Sequence, residues 1–218
     1  MQIPGPEHVI AAKRVLRYLN GTTDLGLVLG EFSGDSLTLS AYADSDWARD
    51  LDNRTSITGY ALFLGKSCVN SIAKNQDRVA LSSTEAEYIA LSACSSKVVW
   101  ARQILDDIGN SQPHATVVYE DNKPCIDLAH NAILSERTMH VDVKCHKTRE
   151  RIKRGIIEVK YVPTDQNVAD ALTKPLGRLK FQAFRDQLCG RSAPFQLPQP
   201  NSTPTPKSRG RNKLSKKS

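Results

Sequence analysis

What this chain does without is informative first. It has no run of about 18 apolar residues, so no membrane span is expected. Its five cysteines (Cys68, Cys94, Cys125, Cys145 and Cys189) are odd in number, widely spaced and form no CxxC pair. That argues against a disulfide framework and for free thiols in a reducing compartment, the nucleus or cytoplasm. The first residues place Glu7, Lys13 and Arg14 where a signal peptide needs an apolar centre, so no secretory leader is visible. Residues 190–218 contain no acid, while Arg191, Lys207, Arg209, Arg211, Lys213, Lys216 and Lys217 supply the whole net charge of +7. The rest of the chain is formally neutral, so the pI of 9.2 describes the tail more than the body. Five of the eleven prolines also lie beyond Gly190. A disordered basic Pro/Ser-rich tail over 190–218 is expected, with a charge suited to nuclear import or nucleic acid.

What is present is the composition of a folded body: 39% hydrophobic and 24% charged residues in a chain of 218. An amphipathic helix is predicted from Pro4 to Asn20, its apolar side made of Val9, Ile10, Ala12, Val15, Leu16 and Leu19. A short strand is expected over Leu25 to Leu29. Leu37 to Asp44 alternates, with Leu39, Ala41 and Ala43 on one face and Ser40, Tyr42 and Asp44 on the other. Thr58 to Leu64 and Cys68 to Ala73 read as a hairpin around Gly65-Lys66. A long helix runs from Thr84 to Ile108 and stops at Gly109-Asn110. Thr116 to Glu120 and Ile156 to Val162 are predicted strands. Lys123 to Asn131, Val141 to Arg154, Val168 to Thr173 and Leu179 to Leu188 are predicted helices. Three strands joined by short connections pair antiparallel, and two that follow helices join in parallel. The expectation is an α/β protein with a five-stranded mixed sheet flanked by helices. A linker helix and short strand occupy 1–35, the domain 36–189, and the tail 190–218.

The long helix carries the first clue to chemistry. Stepping forward from Glu87 in helical intervals reaches Ala90, Cys94, Val98, Ala101, Leu105 and Ile108, an unbroken small-to-apolar stripe. Glu87 therefore points where the stripe points, into the protein. Glu85 starts a mostly polar row and can close a capping box with Ser82. A buried carboxylate needs a cation or a donor. Asp44 and Asp121 each fall at a strand carboxyl end, and Asp170 opens a short helix. Clustered carboxylates cannot all ionise without a cation, and hard oxygen ligands suit two Mg²⁺ ions, or Mn²⁺. Asp46 rivals Asp44 but reads as a loop acid beyond the strand end.

Tyr42-Ala43-Asp44-Ser45-Asp46-Trp47, Ser82 to Tyr88, Tyr119-Glu120-Asp121-Asn122 and Val168 to Pro175 occur in an order that resembles the ribonuclease H domain of copia-type LTR retrotransposons. The resemblance covers about residues 6–189. It implies the ribonuclease H-like fold and Asp44, Glu87, Asp121 and Asp170 as metal-binding catalytic acids. It also implies Mg²⁺-dependent hydrolysis of the RNA strand of RNA–DNA hybrids. In that family the domain follows a reverse transcriptase in one polyprotein, which makes reverse transcriptase an expected partner of an otherwise monomeric chain. Met1 precedes the helix that would join the two, so a fragment and a captured free-standing gene are both open.

Around this core, Asn122 is expected to hold Asp121 or touch the hybrid. The segment Arg137 to Arg149 also resembles the copia pattern, with Met139 and Cys145 as departures. It supplies His140, His146 and Arg149 as candidates for substrate contact or proton transfer. Many cellular ribonucleases H carry a His in the loop before the last Asp, and Pro163-Thr164-Asp165-Gln166-Asn167 has none. Lys144, Lys147, Arg149, Arg151, Lys153 and Arg154 make a basic helix able to track phosphates. His140, Cys145 and His146 do not have the spacing or partner count of a structural zinc site.

A second reading comes from Arg14-Val15-Leu16-Arg17. Arg14, Leu16 and Arg17 spell the R-x-L-R host-entry motif and so resemble secreted effectors of oomycete plant pathogens. That resemblance implies a protein secreted into host cells, acting on host plant proteins, with the host nucleus as one destination. It implies suppression of host cell death or immunity, without the usual leader and the acidic motif that normally follows.

Overall fold

The computed structural model describes residues 5–30, 37–50, 52–131 and 142–196. Five strands form one sheet in the order β3-β2-β1-β4-β5, made of β1 (Leu39–Asp46), β2 (Ile57–Leu64), β3 (Ser67–Asn75), β4 (Thr116–Glu120) and β5 (Ile157–Tyr161). β1, β2 and β3 are antiparallel neighbours, and β4 and β5 add in parallel. The tight β2–β3 connection uses Gly65 at φ 59°, a left-handed conformation that glycine tolerates without strain. The parallel additions follow helical crossovers, as parallel pairing requires.

β1 is the centre of the molecule. Its alternation does not separate a wet face from a dry one, because both faces are covered. Leu39, Ala41 and Ala43 pack with Tyr60, Leu62 and Val118 under the long helix α2 (Ser83–Asp107). Tyr42 packs on the opposite face with Phe63, Tyr119, Val168 and Phe184. That second layer is aromatic: Tyr42 stacks on Tyr119 at 4.8 Å and meets Phe63 edge-on at 5.6 Å. It is closed by α5 (Asp170–Thr173) and α6 (Arg178–Leu188).

α2 starts as its sequence dictates. The Ser82 hydroxyl accepts from the Glu85 amide, and Gly109 at φ 79° follows the helix end. The Glu85 carboxylate reaches the Leu81 amide at 2.7 Å, one residue beyond the cap, so the expected reciprocal box is only half formed. The stripe from Glu87 through Ala90, Cys94, Val98, Ala101 and Leu105 is buried, while Ile108 is exposed. α3 (Lys123–His130) and α4 (Asp142–Lys153) complete that side.

Several expectations need correction. Leu25 to Leu29 is not a strand. Gly26 and Gly30 interrupt it, and its backbone is tied elsewhere: Val28 donates to the Cys189 carbonyl at 2.8 Å and Gly30 to Ser67 Oγ. α1 (Pro6–Asn20) forms, but none of its residues is buried, and Val9, Ile10, Val15, Leu16 and Leu19 are all half or more exposed. β1 runs two residues past Asp44, so Asp46 is not a loop acid. It pairs with Ile57 as the last strand residue and forms an ion pair with Arg49 at 3.5 Å. Residues 191–196 lie on the body, where the Tyr42 hydroxyl donates to the Phe195 carbonyl and the Phe195 ring meets Tyr119.

Candidate functional site

β1 pairs with β4 only through Ser40, Ala41 and Tyr42, after which the two strands part. In a sheet where strand order reverses, such a crevice at the carboxyl ends is where ligands bind. Asp44 stands on one side of it and Asp121, just past the end of β4, on the other. Glu87 enters from the first turns of α2. Gln76 holds that helix start to the sheet, its side-chain amide donating to Thr58 Oγ1 and the Ala86 carbonyl, each at 3.0 Å.

Asp44, Glu87 and Asp121 each offer a carboxylate oxygen, and these oxygens lie within 4.8 Å of one another. Asp44 and Glu87 are buried. One oxygen of Glu87, Oε2, is buried with no hydrogen-bond partner. Burial, then the nearby Asp44 and Asp121, push the Glu87 carboxyl up to about 9. Burial pushes Asp44 up to about 7, against the opposing pull of Lys174 and Thr173. Burial outweighs the nearby Lys174 ammonium at both acids, so their ionised forms call for further positive charge. Three converging carboxylates, one of which keeps a buried oxygen without a partner, are a donor set that fits a hard divalent cation.

Asp170 lies beside this set without belonging to it. Its Oδ1 accepts from Lys174 at 2.9 Å and its Oδ2 from Lys180 at 2.6 Å. Lys174 also donates to Asp44 Oδ1 at 2.8 Å. The Thr173 hydroxyl donates to Asp44 Oδ2. Asp44 is thus shared between the three-acid set and a pair with Asp170 bridged by an ammonium.

The loop before α5 is fixed to β1 by Asn167. Its Nδ2 donates to the Ala43 carbonyl at 2.9 Å, an oxygen left free where β1 parts from β4, and its Oδ1 accepts from the Ala169 amide. Gly59 sits directly across from Asp44 in the β1–β2 register and lets α5 lie against the sheet. Glu120 was overlooked at the sequence level. It is fully buried, accepts from the Asn122 amide at 3.1 Å, and is pushed well above the usual carboxyl range by burial and by Glu87.

The other candidates take different places. The Asn122 side chain caps α3 by accepting from the Cys125 amide at 2.9 Å. Arg149 donates through Nε and a terminal nitrogen to the Leu128 carbonyl, and Arg151 to Ser95 and Ser96. Both brace helices, which leaves Lys147 and Lys153 on α4 and Arg154 just beyond it as the exposed described bases of this stretch. His146 is exposed on α4, and His140 lies outside the described residues. Arg14, Leu16 and Arg17 are exposed on α1. Cys68, Cys94, Cys125 and Cys189 form no disulfide.

A central antiparallel triplet extended by two parallel strands, with acids gathered at the carboxyl ends, defines a ribonuclease H fold. Comparison with known proteins completes the assignment. No protein-family model matches the chain. It is 40% identical over 184 residues to the retrovirus-related Pol polyprotein from transposon RE2 of Arabidopsis thaliana, and 39% identical over 186 residues to that from transposon TNT 1-94 of Nicotiana tabacum. The alignments cover 84% and 85% of this chain. Copia-type retrotransposon Pol polyproteins are thus homologues of this chain at about 40% identity over most of its length. The chain spans only 12% and 14% of those relatives' lengths. It is also 47% identical over 98 residues to secreted RxLR effector protein 161 of Plasmopara viticola, covering 44% of this chain and 67% of that one. Among solved structures, the N-terminal RNase H domain of Rv2228c from Mycobacterium tuberculosis is 14% identical at a TM-score of 0.45, covering 68% of this chain and 96% of that one. LC11-RNase H1, isolated from compost, is 16% identical at 0.48, covering 63% and 93%.

Proposed function

We propose that this chain is a ribonuclease H-like endonuclease that hydrolyses the RNA strand of RNA–DNA hybrids with two divalent ions. The observation that carries the reading is the convergence of Asp44, Glu87 and Asp121 within 4.8 Å in the crevice between β1 and β4. Asp44, Glu87 and Asp121 would hold one Mg²⁺ or Mn²⁺, and Asp44 with Asp170 the other. Bound there, the ions supply the charge that activates a water and stabilises the leaving oxygen of a phosphodiester. The chain's own part is preorganisation. The stripe of α2 fixes Glu87, Asn167 fixes the loop that carries Asp170, and Gly59 admits α5 beside Asp44. Lys147, Lys153 and Arg154, exposed on and just beyond α4, are positioned to meet phosphates.

The test is cleavage of a labelled RNA–DNA hybrid by the purified chain with Mg²⁺ or Mn²⁺. Products ending in 3′-hydroxyl and 5′-phosphate are expected. Asp121→Asn is expected to lower the rate at least about 100-fold, since even supporting residues around a metal are worth about 10–100-fold. A folded wild-type chain that leaves hybrids intact with either ion would refute the reading.

A second reading is favoured by the likeness to secreted RxLR effector protein 161 and by the exposure of Arg14, Leu16 and Arg17 on α1. In it the chain acts inside plant cells, reaching the host nucleus and suppressing cell death through host proteins. Expression in leaves challenged with a cell-death elicitor checks it. Suppression that survives Asp121→Asn supports this role, and unaltered cell death removes it.

A further inference from the structure

The two carboxylates nearest the helical side of the site are already joined by a cation of the chain's own. Lys174 Nζ lies 2.8 Å from Asp44 Oδ1 and 2.9 Å from Asp170 Oδ1. The remaining oxygens are occupied too: Asp44 Oδ2 by the Thr173 hydroxyl, and Asp170 Oδ2 by Lys180, which also donates to the Thr164 carbonyl. Glu87 Oε2, in the neighbouring set, has no partner. The acids at this one locus therefore fall into two unlike positions, one short of positive charge and one supplied with it.

Lys174 is held by more than its charge. It follows α5 immediately, and its amide donates to the Asp170 carbonyl at 3.0 Å, so its side chain starts four residues on from Asp170 on the same turn. That side chain is 31% exposed, against 0% for Asp44 and 2% for Asp170. The two acids are sealed, while the lysine has an open route to solvent. An ammonium sits about 2.8 Å from its acceptors and a divalent ion such as Mg²⁺ at about 2.1 Å, so the two cannot share the space between the same pair of oxygens.

We propose that Lys174 occupies the Asp44–Asp170 position in the resting chain and must swing out before a second divalent ion enters. The inference rests on the metal-dependent reading given above and adds to it an ordered loading. The position at Asp44, Glu87 and Asp121 fills first. The Asp44–Asp170 position fills later and more weakly, because its ion competes with a tethered ammonium. Lys174 is a positioning residue in this scheme: it keeps two buried carboxylates paired until the second ion arrives. Lys180 keeps Asp170 oriented throughout, because its contact is with the other oxygen.

The experiment counts ions on the full chain. Mn²⁺ is titrated in at fixed pH, and free ion is read by electron paramagnetic resonance. Wild type is expected to take up one ion and then a second at least about tenfold more weakly, a gap of about 1.4 kcal/mol. Lys174→Met is expected to bring the second affinity to within about threefold of the first, and Lys174→Arg to keep the wild-type gap. Asp170→Asn added to Lys174→Met is expected to abolish the second site. Circular dichroism checks that each variant folds. Should Lys174→Met fail to fold, the lysine side-chain ¹⁵N spectrum of wild type decides. With diamagnetic Mg²⁺ in place of Mn²⁺, the Lys174 signal should persist at one equivalent and shift with the second. Equal affinities in wild type, an unchanged curve in Lys174→Met, or a Lys174 signal indifferent to the second ion overturns the inference alone. No uptake of Mn²⁺ by wild type overturns both it and the metal-dependent reading.

Discussion

A Cβ placed on Gly59 would come within 2.5 Å of Thr173 Cγ2, and within 3.2 Å of both Leu172 Cβ and the Ala169 carbonyl oxygen. Gly59 is also the register partner of Asp44. One missing side chain therefore sets how closely α5 approaches the strand that bears the central acid. Gly59→Ala is expected to push α5 away and part the Thr173 hydroxyl from Asp44. Overpacking of this kind destabilises by about 1–3 kcal/mol, and hybrid cleavage should fall further than stability does. Urea unfolding and a cleavage assay on the same preparation check this. Gly177→Ala is the control, because a Cβ there meets nothing within 4 Å. A Gly59→Ala chain with wild-type cleavage would show that the close approach has no bearing on the site.

Glu85 and Glu87 are two residues apart and are expected to respond in opposite ways. The Glu85 side chain accepts from the exposed Leu81 amide, so Glu85→Gln removes part of a helix cap, about 0.5–1 kcal/mol, and leaves cleavage near wild type. Glu87→Gln replaces a buried acid that keeps its proton up to about pH 9, and is expected to leave the metal-free chain near wild-type stability at neutral pH while abolishing cleavage. Thermal melts and cleavage rates of the pair separate the roles. Equal loss of cleavage in both variants would contradict the assignment.

These two glutamates also show how much of the molecule was readable in the sequence. The period of α2 located Glu87 on the buried stripe because a long helix repeats its pattern seven times over roughly 25 residues. The strands were legible for a similar reason, and β4 was placed at its observed limits, Thr116 to Glu120. What failed was of shorter range. Leu25 to Leu29 has strand-like composition, but two glycines and contacts to residues 67 and 189 decide its shape. The lysines that neutralise Asp170 could not be ranked, since nothing local tells a buried Lys174 contact from a solvated one. Thr173 and Lys174 stood inside the motif that drew attention to Asp170, yet their partner, Asp44, lies about 130 residues away. Asn167 looked like a loop residue and is one. Its importance comes from Ala43, whose carbonyl is free only because β1 and β4 diverge beyond Tyr42.

Asn167 accordingly makes a prediction of its own. It is fully buried and joins the Ala43 carbonyl to the Ala169 amide one residue before Asp170. Asn167→Ala leaves both backbone groups unpaired, at about 1–3 kcal/mol each. Asn167→Asp restores the acceptor for Ala169 but not the donor for Ala43, and adds a buried charge beside Asp44. Both variants are expected to lose stability, with Asn167→Asp the worse above neutral pH. Urea midpoints at pH 6 and pH 8 check the order. If Asn167→Asp is as stable as wild type at pH 8, the side chain does not make the contact to Ala43 that matters.

The raised carboxyls give the metal-free chain a pH dependence of definite sign. An unfolded Asp or Glu has a pKa near 4, whereas Asp44 is held up to about 7 and Glu87 up to about 9, chiefly by burial. Between those limits the folded chain binds more protons than the unfolded chain, so stability falls as pH rises. The contribution of these two groups is full below about pH 4 and is lost as pH passes 7 and then 9. Without divalent ions, Tm is expected to drop by at least about 3 °C from pH 6 to pH 9, given about 2–4 °C per kcal/mol for a chain of this size. A bound cation favours the ionised acids, so 10 mM Mg²⁺, a convenient saturating level of about that size, should raise Tm more at pH 9 than at pH 6. Glu87→Gln should flatten the upper part of the curve, because an amide has no proton to lose. A melt series that stays level from pH 6 to pH 9 without metal, or a Mg²⁺ effect of equal size at both ends, would mean that Asp44 and Glu87 ionise in the folded chain without needing a cation.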